Sequence, residues 1–263
     1  MKIALVADLH FGSVPEGLSD LLGETIEGEK PDLIVIAGDL TLRARKREFR
    51  QAASWLEALK APILVLPGNH DLPYWNLLQR FADPFGRFRH AAAAKTLMPI
   101  YEGAGGYVLG FNTTGSWQPH LRWQEGVARR TDIIAAKLAL DAAPPQTFKA
   151  VAGHHPFSRV PGIPRARPVR RAAAALQAFA SAGVEVLLSG HIHLSFAVEV
   201  EIGSKRIVSV GAPTALSSRM RGEANGFWIV EEDGGAIFCR LWLRGDNGFV
   251  EANSKSFQRF SQD

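Results

Sequence analysis

Short apolar runs alternate with helical patterns through most of this sequence. The apolar runs are rich in Val, Ile, Leu and Ala, and Gly, Pro, Asn or Asp bounds most of them, as expected of buried strands. They occupy residues 2–7, 33–37, 63–66, 107–111, 149–152 and 185–188. Helical patterns occupy residues 17–29, 45–60, 123–141 and 168–183. Because strand and helix alternate, we predict βαβ units and a mostly parallel inner sheet.

The pattern changes after Ser195. Apolar runs at 196–202, 205–210, 226–231 and 236–243 are separated by Gly-containing turns, which predicts an antiparallel meander. We expect these strands, within residues 196–243, to complete a second sheet packed on the first. The predicted fold is therefore α/β, a four-layer αββα sandwich of two mixed sheets flanked by helices. No Pro-, Gly- or Ser-rich linker divides the chain, so we predict one domain over residues 1–263.

Composition limits the compartment and the partners of the chain. The single cysteine, Cys239, excludes an internal disulfide, and the apolar runs are far shorter than a membrane span. Asp8 and His10 follow the first apolar run at once, which argues against a cleaved signal peptide. We therefore expect a cytoplasmic protein. The net charge of +4 weakly favours an anionic substrate or partner.

Polar residues follow the predicted strands in a fixed order. They are Asp8-Leu9-His10, Gly38-Asp39, Gly68-Asn69-His70-Asp71, His154 and Gly190-His191-Ile192-His193. Because the loops beyond the carboxyl ends of parallel strands meet in one crevice, we expect these side chains to converge. In extended backbone, residues two apart share a face, so Leu9 and Ile192 would turn into the core. Carboxylate, amide and imidazole groups suit a pair of transition-metal ions.

Each motif alone also has an ordinary structural explanation. A carboxylate such as Asp8 or Asp39 is common in strand-to-helix turns, and Gly68-Asn69 is ordinary turn chemistry. What favours a metal site is the presence of all the motifs together in this order.

The complete series resembles the signature of the calcineurin-like metallophosphoesterases, in its phosphodiesterase-type form. The resemblance covers residues 1–193 and also implies the αββα architecture. It implies two divalent or trivalent metal ions, of manganese, iron or zinc. The first ion would be held by Asp8, His10 and His193. The second ion would be held by Asn69, His154 and His191. Asp39 would bridge them, since only a carboxylate offers two oxygens for ions roughly 3.5–4 Å apart.

The resemblance also implies a reaction. The two ions would lower the pKa of a bridging water, so that hydroxide attacks phosphorus, and would hold the phosphoryl oxygens. His70 is the candidate to protonate the leaving alkoxide, and Asp71 is expected to orient a neighbour through a hydrogen bond. His154 fits the ligand position better than His155, because one residue normally separates that ligand from the following proline. Residues expected to contact the substrate are Arg43, His155, Arg159 and Arg219.

The motifs at residues 38–41, 67–71 and 154–156 look like those of the class III cyclic nucleotide phosphodiesterases and similar glycerophosphodiesterases. Residues 41–50 depart from the Thr-x-x-Gly pattern common there, as does the Pro- and Arg-rich stretch after His154. The first expectation is therefore hydrolysis of a small phosphodiester, with the substrate left open.

Several alternatives share the same metals. A phosphomonoesterase is one. A DNA nuclease is another, because residues 8–12 look like the start of SbcD-type nucleases, although the chain has little room for their DNA-binding domain, so nucleic acid is not favoured. A nucleotide-lipid pyrophosphohydrolase would need an apolar groove, to which Trp75, Phe81 and Phe85 could contribute. A non-catalytic scaffold is disfavoured, because every ligand position is filled. A homodimer through strands 226–231 and 236–243 is also left open.

Overall fold

The computed structural model describes residues 1–73, 76–115, 124–160, 162, 167–218 and 222–259. Its strands are β1 (Lys2–Val6), β2 (Leu33–Ile36), β3 (Ile63–Val65), β4 (Ile100–Gly103), β5 (Gly106–Gly110), β6 (Phe148–Ala152), β7 (Val186–His193), β8 (Phe196–Ile202), β9 (Lys205–Pro213), β10 (Gly226–Asp233), β11 (Ala236–Gly245) and β12 (Gly248–Gln258). Its helices are α1 (Leu18–Gly28), α2 (Lys46–Ala58), α3 (Leu77–Ala82), α4 (Gly86–Ala91), α5 (Arg130–Asp141) and α6 (Ala172–Ser181), with a 3-10 turn at Asn69–Asp71.

The strands form two six-stranded mixed sheets, and this confirms the predicted αββα fold. The first sheet has the order β12-β11-β10-β1-β2-β3, and the second has the order β4-β5-β6-β7-β9-β8. Strands β1, β2 and β3 are parallel, as are β5, β6, β7 and β9. The remaining strands pair antiparallel with their neighbours.

Alternation along β1 explains why this strand reads as one continuous apolar run. Ile3 and Leu5 lie in the core between the two sheets, whereas Ala4 and Val6 lie in the core that α1 and α2 cover. Both faces of the strand are therefore buried, as in other sheets with covered parallel strands. Helices α5 and α6 contribute to a corresponding core on the outer face of the second sheet.

The expectation that the late strands complete one sheet is wrong. Strands β8 and β9 extend the second sheet through β7, whereas β10, β11 and β12 join the first sheet through β1. The late strands are thus divided between the sheets, because local apolar pattern does not specify which distant strand is the pairing partner. Strands β10 and β11 also have neighbours on both sides, so they offer no free edge for the dimer considered above.

The sequence pattern did not predict one strand and misplaced the start of one helix. Strand β12 was not predicted because six successive residues, 251–256, are exposed and polar or small. Helix α5 begins at Arg130 rather than near 123, since Val127 pairs with Arg170 in an isolated bridge instead of joining the helix. Among the described residues, no helix is both long and apolar enough to cross a membrane.

Candidate metal centre

The predicted ligands lie where β1, β2, β6 and β7 end, and several adopt left-handed backbone. The φ angles are 55° at Asp8, 47° at His10, 54° at Asp39, 70° at His191 and 63° at His193. The extended backbone expected for the two Asp/His-x-His motifs is therefore wrong, although the intervening Leu9 and Ile192 are buried as predicted. Each such residue costs on the order of 1–3 kcal/mol, and clusters of this strain are typical of functional sites.

Asp8 is fully buried and has one oxygen without a hydrogen bond. Its Oδ2 accepts the backbone N–H of His191 at 2.8 Å. Its Oδ1 lies 3.1 Å from Nε2 of His193 and 3.7 Å from Nε2 of His10, yet it accepts no hydrogen bond from any described residue. A buried carboxylate oxygen left in this way is costly unless a cation neutralises it.

His10 and His193 present ring nitrogens to each other. Nδ1 of His10 donates to the Thr41 carbonyl at 3.3 Å, which leaves Nε2 unprotonated in the neutral ring. That Nε2 lies 3.3 Å from Nε2 of His193. Two lone pairs at this separation would repel each other, so the arrangement requires a shared proton or a cation. Together with Asp8, these residues form a group able to hold a metal ion.

Asp39 lies between the two histidine groups. Its Oδ1 accepts the N–H of His70 at 2.8 Å. Its Oδ2 is 3.8 Å from Nε2 of His10 and 3.5 Å from Nε2 of His154. Asp39 can lie this close to the backbone of residue 68 only because that residue is glycine. An added Cβ at Gly68 would overlap Oδ1 and the backbone nitrogen of Asp39.

His154 and Asn69 form the other side of the site. Nδ1 of His154 donates to the Ala37 carbonyl at 2.8 Å, and its Nε2 lies 3.2 Å from Oδ1 of Asn69. The ring of His191 is perpendicular to that of His154, with centroids 5.1 Å apart. The predicted ligands of both ions thus occupy one buried cluster, with Asp39 at its centre.

The charges of the cluster favour cations. Burial opposes ionisation of Asp8 and Asp39, yet His193 lowers the pKa of Asp8 to about 2, and His154 holds the pKa of Asp39 well below its usual value. Burial opposes the charged form of His154 as well, but Asp39 raises its pKa to about 9. Burial and the charge of His154 lower the pKa of His191 to about 3. Both carboxylates therefore favour the anionic form, and His191 favours the neutral form that a metal ligand would need.

His70 and Asp71 flank this cluster. Nδ1 of His70 donates to the Leu42 carbonyl at 2.7 Å, and its ring lies against His10 with centroids 4.8 Å apart. Asp71 is buried, and burial, followed by the charge of Asp39, raises its pKa to about 6.

The carboxylate of Asp71 holds backbone rather than facing a substrate. It accepts the N–H groups of Gly68, Leu40 and Thr41 at 2.9, 3.1 and 2.9 Å, together with the Thr41 hydroxyl at 2.9 Å. These bonds join the turn that carries Asn69 to the turn that follows Asp39. Thr41 belongs to the motif at residues 38–41, but its sequence position alone did not indicate this hydrogen bond to Asp71.

The predicted substrate contacts have different outcomes. Arg43 and Arg159 are exposed, and Arg219 lies outside the described residues. His155 is buried, its Nε2 donates to the Gln124 carbonyl at 2.9 Å, and its Nδ1 accepts from Thr113 at 2.8 Å. Both ring nitrogens are thus engaged within the protein. The substrate contact expected of His155 stays a prediction, and its ring lies beside those of His154 and His191, with centroids 4.7 and 4.3 Å away.

Known proteins resemble this chain in sequence and in fold. A model of the calcineurin-like phosphoesterase family matches residues 1–195. The chain is 35% identical over 83 residues to the glycerophosphodiester phosphodiesterase GpdQ of Enterobacter lignolyticus (strain SCF1), a match covering 27% of this chain and 30% of that protein. It is 24% identical over 210 residues to a probable cyclic nucleotide phosphodiesterase of Synechococcus, covering 74% of each chain.

Similarity of fold extends further than similarity of sequence. The structure of the purple acid phosphatase PPD1 from yellow lupin superposes with a TM-score of 0.66 at 12% identity, covering 98% of this chain and 54% of that one. The family model spans well over half of the 263 residues and includes every proposed ligand. The chain therefore belongs to the calcineurin-like phosphoesterase family.

Proposed function

We propose that this chain is a phosphodiesterase that uses two metal ions to hydrolyse a small phosphodiester of the cyclic nucleotide or glycerophosphodiester type. The observation that carries the proposal is the buried cluster around Asp39, in which Oδ1 of Asp8 accepts no hydrogen bond from the described residues and two imidazole Nε2 atoms lie 3.3 Å apart. This donor set of carboxylate, imidazole and amide groups fits transition-metal ions.

The ligand assignment follows from the two sides of the cluster. One ion would be held by Asp8, His10 and His193, and the other by Asn69, His154 and His191. Asp39 would contact both through its carboxylate. Manganese, iron and zinc all suit such ligands. When bound, the two ions would supply an activated water and would stabilise the negative charge that builds on the phosphoryl oxygens.

The chain's own residues would do the rest of the chemistry. His70 donates through Nδ1 to the Leu42 carbonyl, so the imidazolium form of the ring would deliver its Nε2 proton to the leaving alkoxide and remain as the neutral ring protonated on Nδ1. Asp71 would keep His70 and Asn69 in place through its bonds to the two turns. The exposed Arg43 and Arg159 would attract the phosphate anion. A location in the cytoplasm stays a prediction.

A diester substrate is favoured over a monoester because the two relatives described above, from Enterobacter lignolyticus and Synechococcus, are named as phosphodiesterases. The fold relative is a phosphatase, so monoester hydrolysis is the second candidate. The test is hydrolysis of bis(p-nitrophenyl) phosphate beside p-nitrophenyl phosphate, after metal removal and reconstitution with Mn²⁺, Fe²⁺ or Zn²⁺. We expect metal-dependent cleavage with a preference for the diester. A preference for the monoester would assign the chain to the second candidate, and failure to bind metal would refute both.

A further inference from the structure

Glu48 is a buried carboxylate to which the reaction proposed above assigns no role. It lies in the first turn of α2 with only 4% of its surface exposed. Its Oε2 accepts the backbone N–H of Arg43 at 2.8 Å and that of Arg45 at 3.2 Å. Since a buried carboxylate is stable only when its oxygens are hydrogen-bonded, these bonds fix the course of residues 41–45, which we call the β2–α2 loop.

The β2–α2 loop holds the imidazole of His70. The Leu42 carbonyl accepts the Nδ1–H of His70 at 2.7 Å. A carbonyl only accepts, so this bond selects the tautomer with the proton on Nδ1 and sets the rotation of the ring. A shift of the Leu42 carbonyl would therefore change both the tautomer and the direction of Nε2.

Two carboxylates fix the backbone on the two sides of the Leu42 carbonyl. Asp71 accepts the N–H groups of Leu40 and Thr41 before it, and Glu48 accepts those of Arg43 and Arg45 after it. The Asp71 side adjoins the proposed ligand Asn69, whereas Glu48 belongs to α2. Glu48 does not adjoin Asn69, but the loop that it fixes also carries the Thr41 carbonyl that accepts from Nδ1 of His10, so the metal content of every Glu48 variant is part of the test.

The turn that carries His10 packs on the same loop. The N–H of Leu42 donates to the Phe11 carbonyl at 3.1 Å. An added Cβ at Gly12 would lie 2.8 Å from Oε1 of Glu48, so the carboxylate is enclosed on that side and has little freedom to turn away from the loop.

We propose that Glu48 is a positioning residue for His70: it fixes the Leu42 carbonyl, which keeps Nδ1–H hydrogen-bonded, so that the imidazolium form of His70 directs its Nε2 proton to the leaving group and the neutral ring left behind is protonated on Nδ1. This inference rests on the proposed function and assigns to it a residue that contacts neither metal nor substrate. Misplacing a catalytic group by a small distance is enough to cost a large factor in rate.

Four variants separate positioning from general damage. Glu48→Ala removes both hydrogen bonds, Glu48→Asp keeps the charge but shortens the reach, and Glu48→Gln keeps an oxygen that accepts both N–H groups. Ala52→Gly is the control, because Ala52 is buried on α2 and its change weakens that helix without touching the loop. Thermal melts and metal content are compared for all four.

The kinetic readout is the dependence on the leaving group. Methyl p-nitrophenyl phosphate has a good leaving group, and methyl phenyl phosphate has a poorer one that needs protonation more. We expect Glu48→Ala and Glu48→Asp to lower kcat on the phenyl ester by about tenfold or more, with a smaller loss on the nitrophenyl ester. Glu48→Gln and Ala52→Gly should show neither change. In a His70→Ala background, Glu48→Ala should cause no further loss, because residues acting as a unit are not additive.

The spectroscopic readout does not depend on turnover. In ¹⁵N-labelled, zinc-loaded protein, the ring signals of His70, identified by their loss in His70→Ala, should report protonated Nδ1. In Glu48→Ala and Glu48→Asp these signals should change to a mixture of tautomers, and in Ala52→Gly they should not.

The outcomes distinguish the two proposals. Suppose that the wild-type protein cleaves diesters and that His70→Ala shows the leaving-group effect. If Glu48→Ala and Glu48→Asp then retain the pure tautomer, or lose activity equally on both esters, the positioning role of Glu48 is refuted. The proposed phosphodiesterase function is not refuted by that result. If no diester is cleaved with any metal, the proposed function fails. The tautomer signals alone then decide whether Glu48 fixes His70.

Discussion

Asp39 is the residue at which the two groups of proposed ligands meet. Its Oδ2 lies within 3.8 Å of Nε2 of both His10 and His154, while its Oδ1 is occupied by the N–H of His70. The position of this one carboxylate would therefore decide whether both proposed ions bind. Gly68 leaves no room for a side chain beside this carboxylate, because an added Cβ would overlap Oδ1 of Asp39.

Gly68→Ala should weaken metal binding. Its φ of −105° is open to any residue, so the effect is steric: the methyl group would displace Asp39. We expect metal affinity to fall about 10–100-fold, measured by isothermal titration. Gly17→Ala is the control, because its φ of 73° is strained but nothing lies within 4 Å of the added Cβ. If that variant loses as much affinity as Gly68→Ala, the steric explanation is wrong.

His154 should make the metal-free protein less stable as the pH rises above neutrality. Asp39 raises the pKa of His154 from 6.5 to about 9 in the folded state. The folded protein therefore holds this proton more tightly, and the stabilisation is complete below pH 6.5 and lost by about pH 9. The lost stability should be on the order of 3 kcal/mol.

Urea unfolding of metal-free wild type and His154→Gln between pH 6.5 and 9 tests this. The difference in unfolding free energy between the two proteins should shrink as the pH rises. A constant difference would mean that His154 does not carry the proton in the folded protein.

The identities of the proposed ligands could be predicted from the sequence, whereas their backbone conformation and the burial of a neighbouring histidine could not. The resemblance allowed the whole ligand set to be proposed, because residue type and order carry it. It could not foresee left-handed backbone at Asp8 or Asp39, since non-glycine residues adopt it rarely and residue type gives only a weak preference. Nor could it foresee the burial of His155, which depends on Thr113 and Gln124 from distant parts of the chain.

At the scale of elements, the end of β12 joins the two sheets at a place remote in sequence from the proposed ligands. Arg259, just after β12, donates to Glu185 before β7 at 2.6 and 3.0 Å, and to Glu232 of β10 at 3.1 Å. Its side chain also donates to the Gln146 carbonyl at 3.3 Å. One side chain thus links the first sheet to loops of the second.

Arg259→Ala should lower the free energy of unfolding by roughly 1–2 kcal/mol, because it removes charge-assisted hydrogen bonds to a mostly buried Glu185. The diesterase activity of the folded variant should be unchanged. Lys137→Ala is the matched control, since its pair with Asp141 is about 40% exposed on both sides and should contribute less than about 0.5 kcal/mol. Equal losses in urea unfolding for the two variants would contradict a special role of Arg259.

Element boundaries show which local signals are reliable. Helices α1 and α2 fall within the ranges predicted for them, because apolar periodicity and flanking polar residues mark them clearly. Strand β12 was missed because its exposed polar residues carry no apolar alternation, and its pairing with β11 is what makes it a strand. Helices α3 and α4 were missed because six residues are too few to establish a helical period.

At the scale of the whole molecule, the four layers were predictable but the assignment of late strands to sheets was not. Strand and helix content follows from local pattern, whereas the pairing of β10 with β1 joins residues more than 220 positions apart. We propose that residues 1–263 form one domain, because a single core between the sheets contains Ile3, Val108 and Trp228. These residues come from the beginning, the middle and the end of the chain.

The central claim is that one buried cluster holds two metal ions about Asp39. Anomalous diffraction from crystals of the manganese-loaded protein, recorded on both sides of the manganese edge, tests this most directly. The account predicts two anomalous peaks, one among Asp8, His10 and His193 and one among Asn69, His154 and His191, with the Asp39 carboxylate between them. A single peak, or peaks away from Asp39 while the loaded protein is active, would contradict it.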